Sequence, residues 1–330
     1  MTVATELGAL PVFVGIPTDE LSALAAELTP VRAPAGEVLM RQGDKALSFF
    51  IIASGEVEVS HTDSDGHTLV ASLSEGLIGE IALLRNAPRT ATVVAVDEVC
   101  GYLGYQAAFQ CLLEIPGIAP ELVRTARQRL AAFLTPVAFE SRDGTELMLR
   151  PALPGDPQRV AHGHVMFSPE TLYRRFLSVR TPTETVLTYL FEVDYVDHFV
   201  WVVTDGQDGS HDGSVVADAR FVRDQDDPTL AEIAFTVADA YQGRGIGTVL
   251  FAALAVAARI DGVTRFHATV LSDNLPARAL LDRLDAPWIR EEPGVVAATI
   301  EVPDPARLPV KISHLTQIRD VARQVIRAFE

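Results

Sequence analysis

Residues 31–105 form short apolar segments separated by glycine-containing turns, and this pattern restricts the fold of that region more than any other feature. The turn signals Gly43-Asp44, Ser54-Gly55 and Asp65-Gly66 recur at nearly regular intervals between segments such as Phe49-Phe50-Ile51-Ile52. Many short strands of even spacing are typical of a small antiparallel barrel or jelly roll. We therefore predict an N-terminal antiparallel β-barrel or jelly roll.

Helices are predicted on both sides of this β-rich region. Residues 18–28 and residues 120–134 each place apolar side chains at helical spacing, so that one face of each helix can be buried. Arg129 lies beside the apolar face of the second helix. An arginine that packs its aliphatic stem along the edge of a buried face is one interpretation of that position.

After Thr135-Pro136, strands and helices alternate along the chain, and this arrangement predicts a mixed α/β sheet with helices packed on it. Predicted strands occupy residues 147–149, 199–203, 215–221, 232–237 and 266–271, and predicted helices occupy residues 169–178, 247–260, 275–284 and 315–329. A length of 330 residues also suits two domains.

Composition excludes several classes of function. The formal net charge is −17, which disfavours binding to nucleic-acid phosphate through a broad basic face. No apolar run approaches the roughly 18 residues that span a bilayer, and the start of the chain lacks the features of a signal peptide. Cys100 and Cys111 are too few for a disulfide framework. We expect a cytoplasmic protein without nucleic-acid or membrane partners.

Residues 78–93 carry a pattern suited to an anion next to a sugar. Gly79 precedes a predicted helical turn, where backbone N–H groups converge on an anion, and Arg89 can donate two parallel hydrogen bonds to phosphate oxygens. Glu80 is unsuited to phosphate but can accept a hydrogen bond from a sugar hydroxyl. Taken singly, these residues would also suit a solvated surface turn.

The whole string 78–93 resembles the phosphate-binding cassette of cyclic-nucleotide-binding domains, and residues 36–44 and 49–57 match the same family. The resemblance covers about residues 12–134. It implies that Glu80 holds the ribose 2′-hydroxyl and that Arg129 caps the purine from the closing helix. It also implies that the cyclic phosphate is held by Gly79, Ile81, Ala82, Arg89 and Thr90. Cyclic AMP is the expected ligand, with cyclic GMP left open.

A second glycine-rich string, Gln242-Gly243-Arg244-Gly245-Ile246-Gly247, follows a predicted strand and opens a helix. Backbone amides of such a loop bind a pyrophosphate, and the helix dipole adds partial positive charge. The string resembles the acetyl-CoA loop of Gcn5-related N-acetyltransferases (the GNAT family). The resemblance implies that acetyl-CoA contacts Phe235, Thr236, Val237, Gln242, Gly243, Arg244, Gly245, Ile246, Gly247, Thr248, Asn274, Arg278 and Arg283.

One position departs from that family. Where a tyrosine often protonates the departing thiolate, this sequence has Leu281, so the reaction lacks a named acid. Glu232 stands beside apolar residues on the predicted central strand and is the candidate general base for an acceptor amine. Asp218 and Glu192 are alternative bases, and an outward-facing Glu232 on a half-exposed sheet is the structural alternative.

Both domains in this order resemble the cyclic-AMP-dependent protein lysine acetyltransferases of mycobacteria and related actinobacteria. The resemblance implies an α+β chain that divides into a regulatory domain at 1–134, a linker at 135–168 that includes the start of the catalytic sheet, a GNAT domain at 145–303 and a helical tail at 304–330. It also implies activation by cyclic AMP and lysine substrates on acyl-adenylate-forming enzymes such as acetyl-CoA synthetase.

His164 is the expected inhibitory residue of the linker, since an imidazole can occupy an amine site and donate to Glu232. The alternative is a surface or core histidine with a satisfied partner. His162 and His164 alone are too few to predict a metal site.

Two other functions stay open at this point. A catabolite-activator-type regulator would need a helix-turn-helix with basic groove contacts, which this acidic chain lacks. A non-catalytic sensor of acetyl-CoA is favoured by Leu281 and disfavoured by Glu232.

Overall fold

The computed structural model describes residues 2–62, 66, 68–154, 156, 167–177, 190, 192–206 and 213–329. These residues form two compact units whose main spans are Met1–Ala126 and Arg127–Ala328. His162 and His164 lie outside the described residues, so their predicted roles have no structural counterpart here. Within the described ranges, no helix combines the length and apolar character that a membrane span requires.

The first unit contains two four-stranded antiparallel sheets, with orders β1-β8-β3-β6 and β2-β7-β4-β5. Its strands are β1 (Leu28–Ala33), β2 (Val38–Met40), β3 (Ser48–Ser54), β4 (Val57–Thr62), β5 (Thr68–Leu73), β6 (Gly76–Ile78), β7 (Thr92–Ala95) and β8 (Val99–Tyr105). Its helices are α1 (Val3–Leu7), α2 (Ser22–Glu27), α3 (Glu80–Leu84), α4 (Gln106–Glu114) and the start of α5 (Ile118–Ala132). The predicted antiparallel architecture is confirmed.

Strand β3 shows why this unit needs its helices. Phe49, Phe50, Ile51 and Ile52 are at most 2% exposed, so both faces of the strand are covered. Phe49 and Ile51 pack with the helices, where the rings of Phe49 and Phe109 are 5.6 Å apart. Burial on both faces explains a continuous apolar run instead of strict alternation.

Some predicted boundaries in this unit were wrong. The helix expected over 18–28 covers only Ser22–Glu27, because Leu28 is already hydrogen-bonded in β1. Helix α4 was not predicted. The two compact units divide inside α5, and the end of the regulatory domain at residue 134 stays a prediction.

The second unit is built on one eight-stranded sheet of order β15-β16-β14-β13-β12-β11-β10-β9. Its strands are β9 (Val137–Glu140), β10 (Glu146–Pro151), β11 (His198–Thr204), β12 (Val215–Arg223), β13 (Leu230–Val237), β14 (Arg265–Leu271), β15 (Ile289–Glu292) and β16 (Val295–Glu301). Its helices are α6 (Pro169–Phe176), α7 (Ile246–Ile260), α8 (Leu275–Asp282) and α9 (Ile312–Ile326). The predicted mixed sheet is confirmed.

Helix α7 is apolar on nearly all sides because it is enclosed. One side packs on the sheet, where the Phe251 ring lies 5.9 Å from Phe235 and 6.2 Å from Phe266. Helix α9 covers another side with Ile318, Ala322 and other residues of the same core. A helix that is hydrophobic all round must be buried in this way.

Strands β13 and β14 form the one parallel pair recorded among the described strands, and they pair over only three positions. The register partners are Leu230 with Arg265, Ala231 with Phe266, and Glu232 with His267. Beyond those pairs the two strands diverge, so backbone groups of the rest of β13 are left for other partners. Because backbone donors and acceptors need hydrogen bonds, this gap is a natural site for an extended ligand.

A buried ion pair joins the end of β10 to the segment that follows it. The guanidinium of Arg150 and the carboxylate of Asp156 make two hydrogen bonds of 2.7 Å, and their side chains are 1% and 0% exposed. Asp156 also accepts from the backbone N–H of Leu153 at 2.7 Å. This pair fixes the chain at the point where residues 157–166 begin.

We expect Arg150→Leu to lower the free energy of unfolding of the second unit by about 3–5 kcal/mol, because removing one partner leaves a buried charge uncompensated. Both tryptophans, Trp201 and Trp288, lie in that unit, so their fluorescence in urea reports its unfolding. Arg265→Leu, which breaks a partly exposed ion pair with Asp227, should cost less than about 1 kcal/mol. Equal losses in the two variants would contradict the prediction.

Candidate functional sites

A cavity of about 360 Å³ lies beside the glycine-rich loop in the second unit. The structure brings most of the predicted cofactor residues together around it. These residues are Phe235, Thr236, Val237, Gln242, Gly243, Gly245, Ile246, Gly247, Thr248, Asn274 and Arg283. They come from β13, the following loop, the start of α7 and the region of α8, so the cavity continues from the gap between β13 and β14.

Gly245 is the residue that starts α7, and its backbone has φ of +88°. A side chain is rarely tolerated in this left-handed conformation, and a Cβ there would also come within 3.2 Å of the Arg142 side chain. The conformation lets the chain turn directly from the loop into a helix of 15 residues. Gly245, Ile246 and Gly247 line the cavity, and the first N–H groups of a helix, which have no partner within it, suit an anionic group.

Arg244 and Arg278 do not line either described cavity, although the sequence predicted that both contact the cofactor. The Arg244 side chain forms an ion pair of 2.6 Å with Asp143 and lies over the Tyr241 ring. Arg278 donates to the Ser272 carbonyl at 2.9 Å and lies over the Trp288 ring. Their cofactor contacts therefore stay predictions.

Arg142, Arg174 and Arg175 line the cavity with Arg283 and were not predicted as cofactor contacts. Arg142 comes from the turn after β9, and its backbone N–H donates to the Arg244 carbonyl at 2.9 Å. Arg174 and Arg175 come from α6. Their basic character gave a local signal, but only the assembled sheet brings these elements to one cavity.

Asp239 connects α6 to the glycine-rich loop. Its carboxylate accepts hydrogen bonds from the Ser168 backbone N–H and hydroxyl, at 2.8 and 2.7 Å, and from the Thr171 hydroxyl at 3.0 Å. Gln242 donates in turn to the Thr171 hydroxyl at 3.1 Å. Although partial burial acts in the opposite direction, the hydrogen bonds from Ser168 and Thr171 lower the pKa of Asp239. The network holds α6 against the loop.

Asn274 is buried and forms the N-cap of α8, where its side-chain oxygen accepts from the Ala277 backbone N–H at 3.3 Å. It lines the first cavity and also a second cavity of about 240 Å³. This second cavity opens where β13 and β14 part. Glu232 lines it, together with Leu281 from α8 and residues of α6.

Glu232 is exposed, so the apolar enclosure suggested by its sequence neighbours is not found. Alternation along β13 explains the difference, since Ile233 faces the buried core while Glu232 faces the opposite side of the sheet. The carboxylate is still at the second cavity, where an acceptor group from solvent can reach it.

The two alternative bases are less suitable. Asp218 is buried and bonded to Arg220 at 2.7 Å, and it does not line either described cavity. Glu192 is exposed, and its backbone carbonyl accepts from Nδ1 of His198 at 3.2 Å. Burial, and next the charge of Arg220, lower the pKa of His198 to about 4, so this imidazole is neutral near pH 7.

In the first unit, Gly79 lies between β6 and α3 and is the N-cap of α3, with φ of +85°. A Cβ at this position would come within 2.5 Å of the Arg89 guanidinium, so the glycine permits the close approach of that side chain. Glu80 and Arg89 are only 1% and 7% exposed, and Ile81 and Ala82 are buried beside them. The residues of the predicted cassette therefore surround a buried carboxylate, Glu80, and a buried guanidinium, Arg89.

Arg89 is held by backbone carbonyls on both sides. It donates to the Gly79 carbonyl at 2.9 Å and to the Ser48 carbonyl at 2.6 Å. Burial lowers the pKa of Arg89, while the charges of Glu80 and Asp44 act in the opposite direction. A guanidinium keeps its charge under these conditions, which suits recognition of a buried anion.

Thr90 and Arg129 complete the predicted nucleotide residues. Thr90 follows Arg89 and is half-buried, and its carbonyl accepts from Nδ1 of His61 at 2.6 Å. Arg129 lies near the end of α5, in the part of the helix that belongs to the second unit. Its contact with a purine stays a prediction.

Comparisons with known proteins find a family match in each unit. A cyclic nucleotide-binding domain model matches residues 30–114, and an acetyltransferase (GNAT) family model matches residues 170–286. Acetyltransferase Pat of Mycolicibacterium smegmatis is 54% identical over 326 residues, which are 98% of this chain and 97% of that protein. The solved structure of a cAMP-binding acyltransferase from Mycobacterium smegmatis is 50% identical, covers 99% of this chain and 98% of its own, and gives a TM-score of 0.52.

A transcriptional regulator is also similar, but over a much smaller part of the chain. The CRP-like cAMP-activated global transcriptional regulator of Mycobacterium tuberculosis is 25% identical over 122 residues, or 36% of this chain. The near full-length similarity is instead to an acetyltransferase. This chain belongs to the family of Acetyltransferase Pat, acetyltransferases in which a cyclic nucleotide-binding domain is fused to a GNAT domain.

Proposed function

We propose that this protein transfers the acetyl group of acetyl-CoA to the side-chain amine of lysine on other proteins, and that cyclic AMP activates the transfer. The main support is the junction of the two cavities in the second unit. The first is lined by the glycine-rich loop and the second by Glu232. A donor in one cavity and an acceptor in the other meet between β13 and β14.

The first cavity has the donor set that a coenzyme A molecule needs. The N–H groups at the start of α7, with Arg142 and Arg283, suit the pyrophosphate. The pantetheine arm would lie along β13 beyond Glu232, where Phe235 and Val237 offer backbone groups that β14 does not pair. When bound, acetyl-CoA supplies an activated thioester carbonyl.

Glu232 is proposed as the general base. An acceptor lysine has a pKa near 10.4 in water, so at neutral pH its ammonium must lose a proton before nitrogen can attack the thioester. The Glu232 carboxylate, exposed at the second cavity, would take this proton directly or through one water and release it to solvent. The neutral amine then forms the new C–N bond.

The cassette in the first unit is proposed to bind cyclic AMP. Arg89 would pair with the cyclic phosphate, with Gly79, Ile81, Ala82 and Thr90 around it, and Glu80 would accept from the ribose 2′-hydroxyl. The buried position of Arg89 supports this assignment, since a guanidinium that keeps its charge when buried suits an anionic phosphate. Arg129 would cap the purine.

We expect Arg89→Lys to weaken cyclic AMP binding by roughly 10-fold or more while the fold persists, because an ammonium does not reproduce two parallel guanidinium bonds. Calorimetric titration of the full chain with cyclic AMP measures the loss. Arg32→Lys, an exposed arginine of the same unit paired with Glu98, is the matched control and should bind normally. Unchanged affinity in Arg89→Lys would remove Arg89 from the phosphate site.

Glu232→Gln should reduce the acetylation rate by roughly 10²–10⁴ at pH 7, as expected for loss of a general base, with acetyl-CoA affinity nearly intact. The deficit should shrink as pH rises toward the lysine pKa, because the amine then deprotonates without help. Steady-state rates over a pH series measure the loss of catalysis, and calorimetry measures the affinity for acetyl-CoA separately.

Asp218→Asn is the informative comparison for that experiment. Asp218 is bonded to Arg220 away from the second cavity, so its loss should disturb the neighbouring ion pair without removing the pH-dependent step. A wild-type rate for Glu232→Gln at pH 7, combined with a large pH-dependent loss for Asp218→Asn, would move the base to Asp218.

The inhibitory role of His164 and the acceptor proteins are also proposed. Residues 157–166 start after the buried Asp156 and end before Ser168, which is bound by Asp239, so both ends of the segment are anchored to the second unit. The resemblance of the sequence to cyclic-AMP-dependent lysine acetyltransferases favours acetyl-CoA synthetase, an acyl-adenylate-forming enzyme, as the acceptor.

We expect His164→Ala to raise acetylation of acetyl-CoA synthetase in the absence of cyclic AMP and to leave the rate at saturating cyclic AMP almost unchanged. A ligand activates only by binding two states with different affinity, and removal of an inhibitory contact favours the active state. Mass spectrometry of the acceptor measures both rates. A low basal rate with a reduced maximal rate would exclude the inhibitory role.

A further inference from the structure

The junction of the two cavities is defined by the residues that line both. They are Arg174 and Arg175 of α6, Phe235 of β13, Asn274, and Ala277 and Leu280 of α8. If the donor occupies the first cavity and the acceptor amine the second, as in the proposed function, the thioester must lie at this junction. The C–S bond therefore breaks among these residues.

Apolar groups cover the α8 side of the junction. Leu281, 3% exposed, lines the second cavity next to Leu280 and offers no proton to a departing sulfur. On the β14 side, the hydroxyl of Thr269 is within 3.3 Å of Nε2 of His267. The charged groups that face the second cavity in the described part of the chain are Glu232 from β13 and the two arginines of α6.

The two arginines differ in their partners. Arg174 forms an ion pair of 2.6 Å with Glu170 on its own helix. For Arg175, the recorded contact is a cation–π interaction with its neighbour Phe176, at 5.2 Å from the ring centroid. Arg175 is half-buried, and its guanidinium interacts electrostatically with the charges of Arg220, Asp218 and Glu232. Among the described residues, no carboxylate forms an ion pair with Arg175 as Glu170 does with Arg174.

The electrostatic environment of Arg175 is consistent with a site that accepts an anion. Partial burial, and next the charge of Arg220, lower the pKa of Arg175 to about 10, while Asp218 and Glu232 act in the opposite direction. When a cation is desolvated and lies near another cation, a nearby negative charge stabilises its charged form. In acetyl transfer, that charge develops on sulfur.

We propose that Arg175 is a catalytic residue that stabilises the coenzyme A thiolate as it leaves, in the place of an acid. The lysine ammonium gives one proton to Glu232, and its nitrogen forms a bond to the thioester carbon. The C–S bond then breaks and its electron pair stays on sulfur. The acylated nitrogen loses its second proton to solvent, and the thiolate is paired with Arg175 until it takes a proton from water.

The bound product gives a direct test that does not depend on turnover. With the full chain saturated by coenzyme A, the ultraviolet absorbance of the thiolate is titrated against pH. We expect the pKa of the bound thiol to lie below that of the thiol in free coenzyme A, and to rise by about 1–2 in Arg175→Gln, as for loss of a close opposite charge. Arg175→Lys keeps a positive charge and should therefore keep part of the lowering of the thiol pKa.

Two controls isolate the role of Arg175. Arg174→Gln removes the same charge one residue away, and should shift the thiol pKa by less than half as much because Glu170 already compensates Arg174. Desulfo-coenzyme A, which lacks the thiol, should bind wild type and Arg175→Gln equally, since only the sulfur contact is lost. Equal shifts in the two arginine variants, or no shift in either, would overturn the assignment.

Turnover separates this inference from the proposed function. Arg175→Gln should lower kcat by roughly 10²–10³, the cost of removing one charge-stabilising group, with a smaller change in KM for acetyl-CoA. If wild type acetylates lysine and Arg175→Gln is equally fast, the inference fails and the proposed function stands. If wild type transfers no acetyl group although coenzyme A binds, the proposed function itself fails.

Discussion

The second unit depends on the early separation of two parallel strands. Strands β13 and β14 share three register positions and then diverge. A continuous parallel pair would have satisfied the backbone of β13 and closed the sheet. Separation leaves the part of β13 after Glu232 without β14 as a partner, and both described cavities are lined by residues of that part. The cost of unpaired backbone groups is offset when a ligand supplies the missing partners.

The separation also explains why charged residues gather there. Helix α6 is held by Asp239 beside the glycine-rich loop, and its arginines reach both cavities. Glu232 occupies the last paired position of β13, directly before the gap. The Glu232 carboxylate and the Arg175 guanidinium thus line the same cavity and have opposite charges. One can accept a proton from an incoming amine, and the other can stabilise the negative charge of a leaving group.

The sequence predicted the parts of both sites that are contiguous. Gly79 through Thr90 and Gln242 through Thr248 are local strings in which glycine conformation and neighbouring side chains act together, so they are recognisable without the fold. Arg142 was missed, since only the pairing of distant strands brings it to the loop. For Glu232, the predicted apolar surroundings were wrong, and the alternative of an outward-facing side chain agrees with the structure. Apolar neighbours in the chain indicate burial, but alternation along a strand sends successive side chains to opposite faces.

Side-chain direction was the other limit of prediction. Arg244 and Arg278 stand in the expected segments, but each lies over an aromatic ring and bonds to a nearby group in this structure. An arginine near a cavity has several partners of similar energy, such as carboxylates, carbonyls and ring faces. Motif spacing fixes where the backbone is, whereas the choice among these partners depends on contacts from other elements.

Helix α5 contributes residues to the cores of both units. Ile118 and Leu122, near its start, belong to the core of the first unit, while Ala131, near its end, belongs to the core of the second. Gln128 also donates to the Val193 carbonyl at 3.2 Å, and Val193 is itself part of the second core. Close-packed cores resist continuous deformation, so each end of α5 is fixed by the packing of its own unit. The proposed activation by cyclic AMP then requires the nucleotide to bind two states of the chain with different affinity, since a ligand of equal affinity for both states shifts neither population.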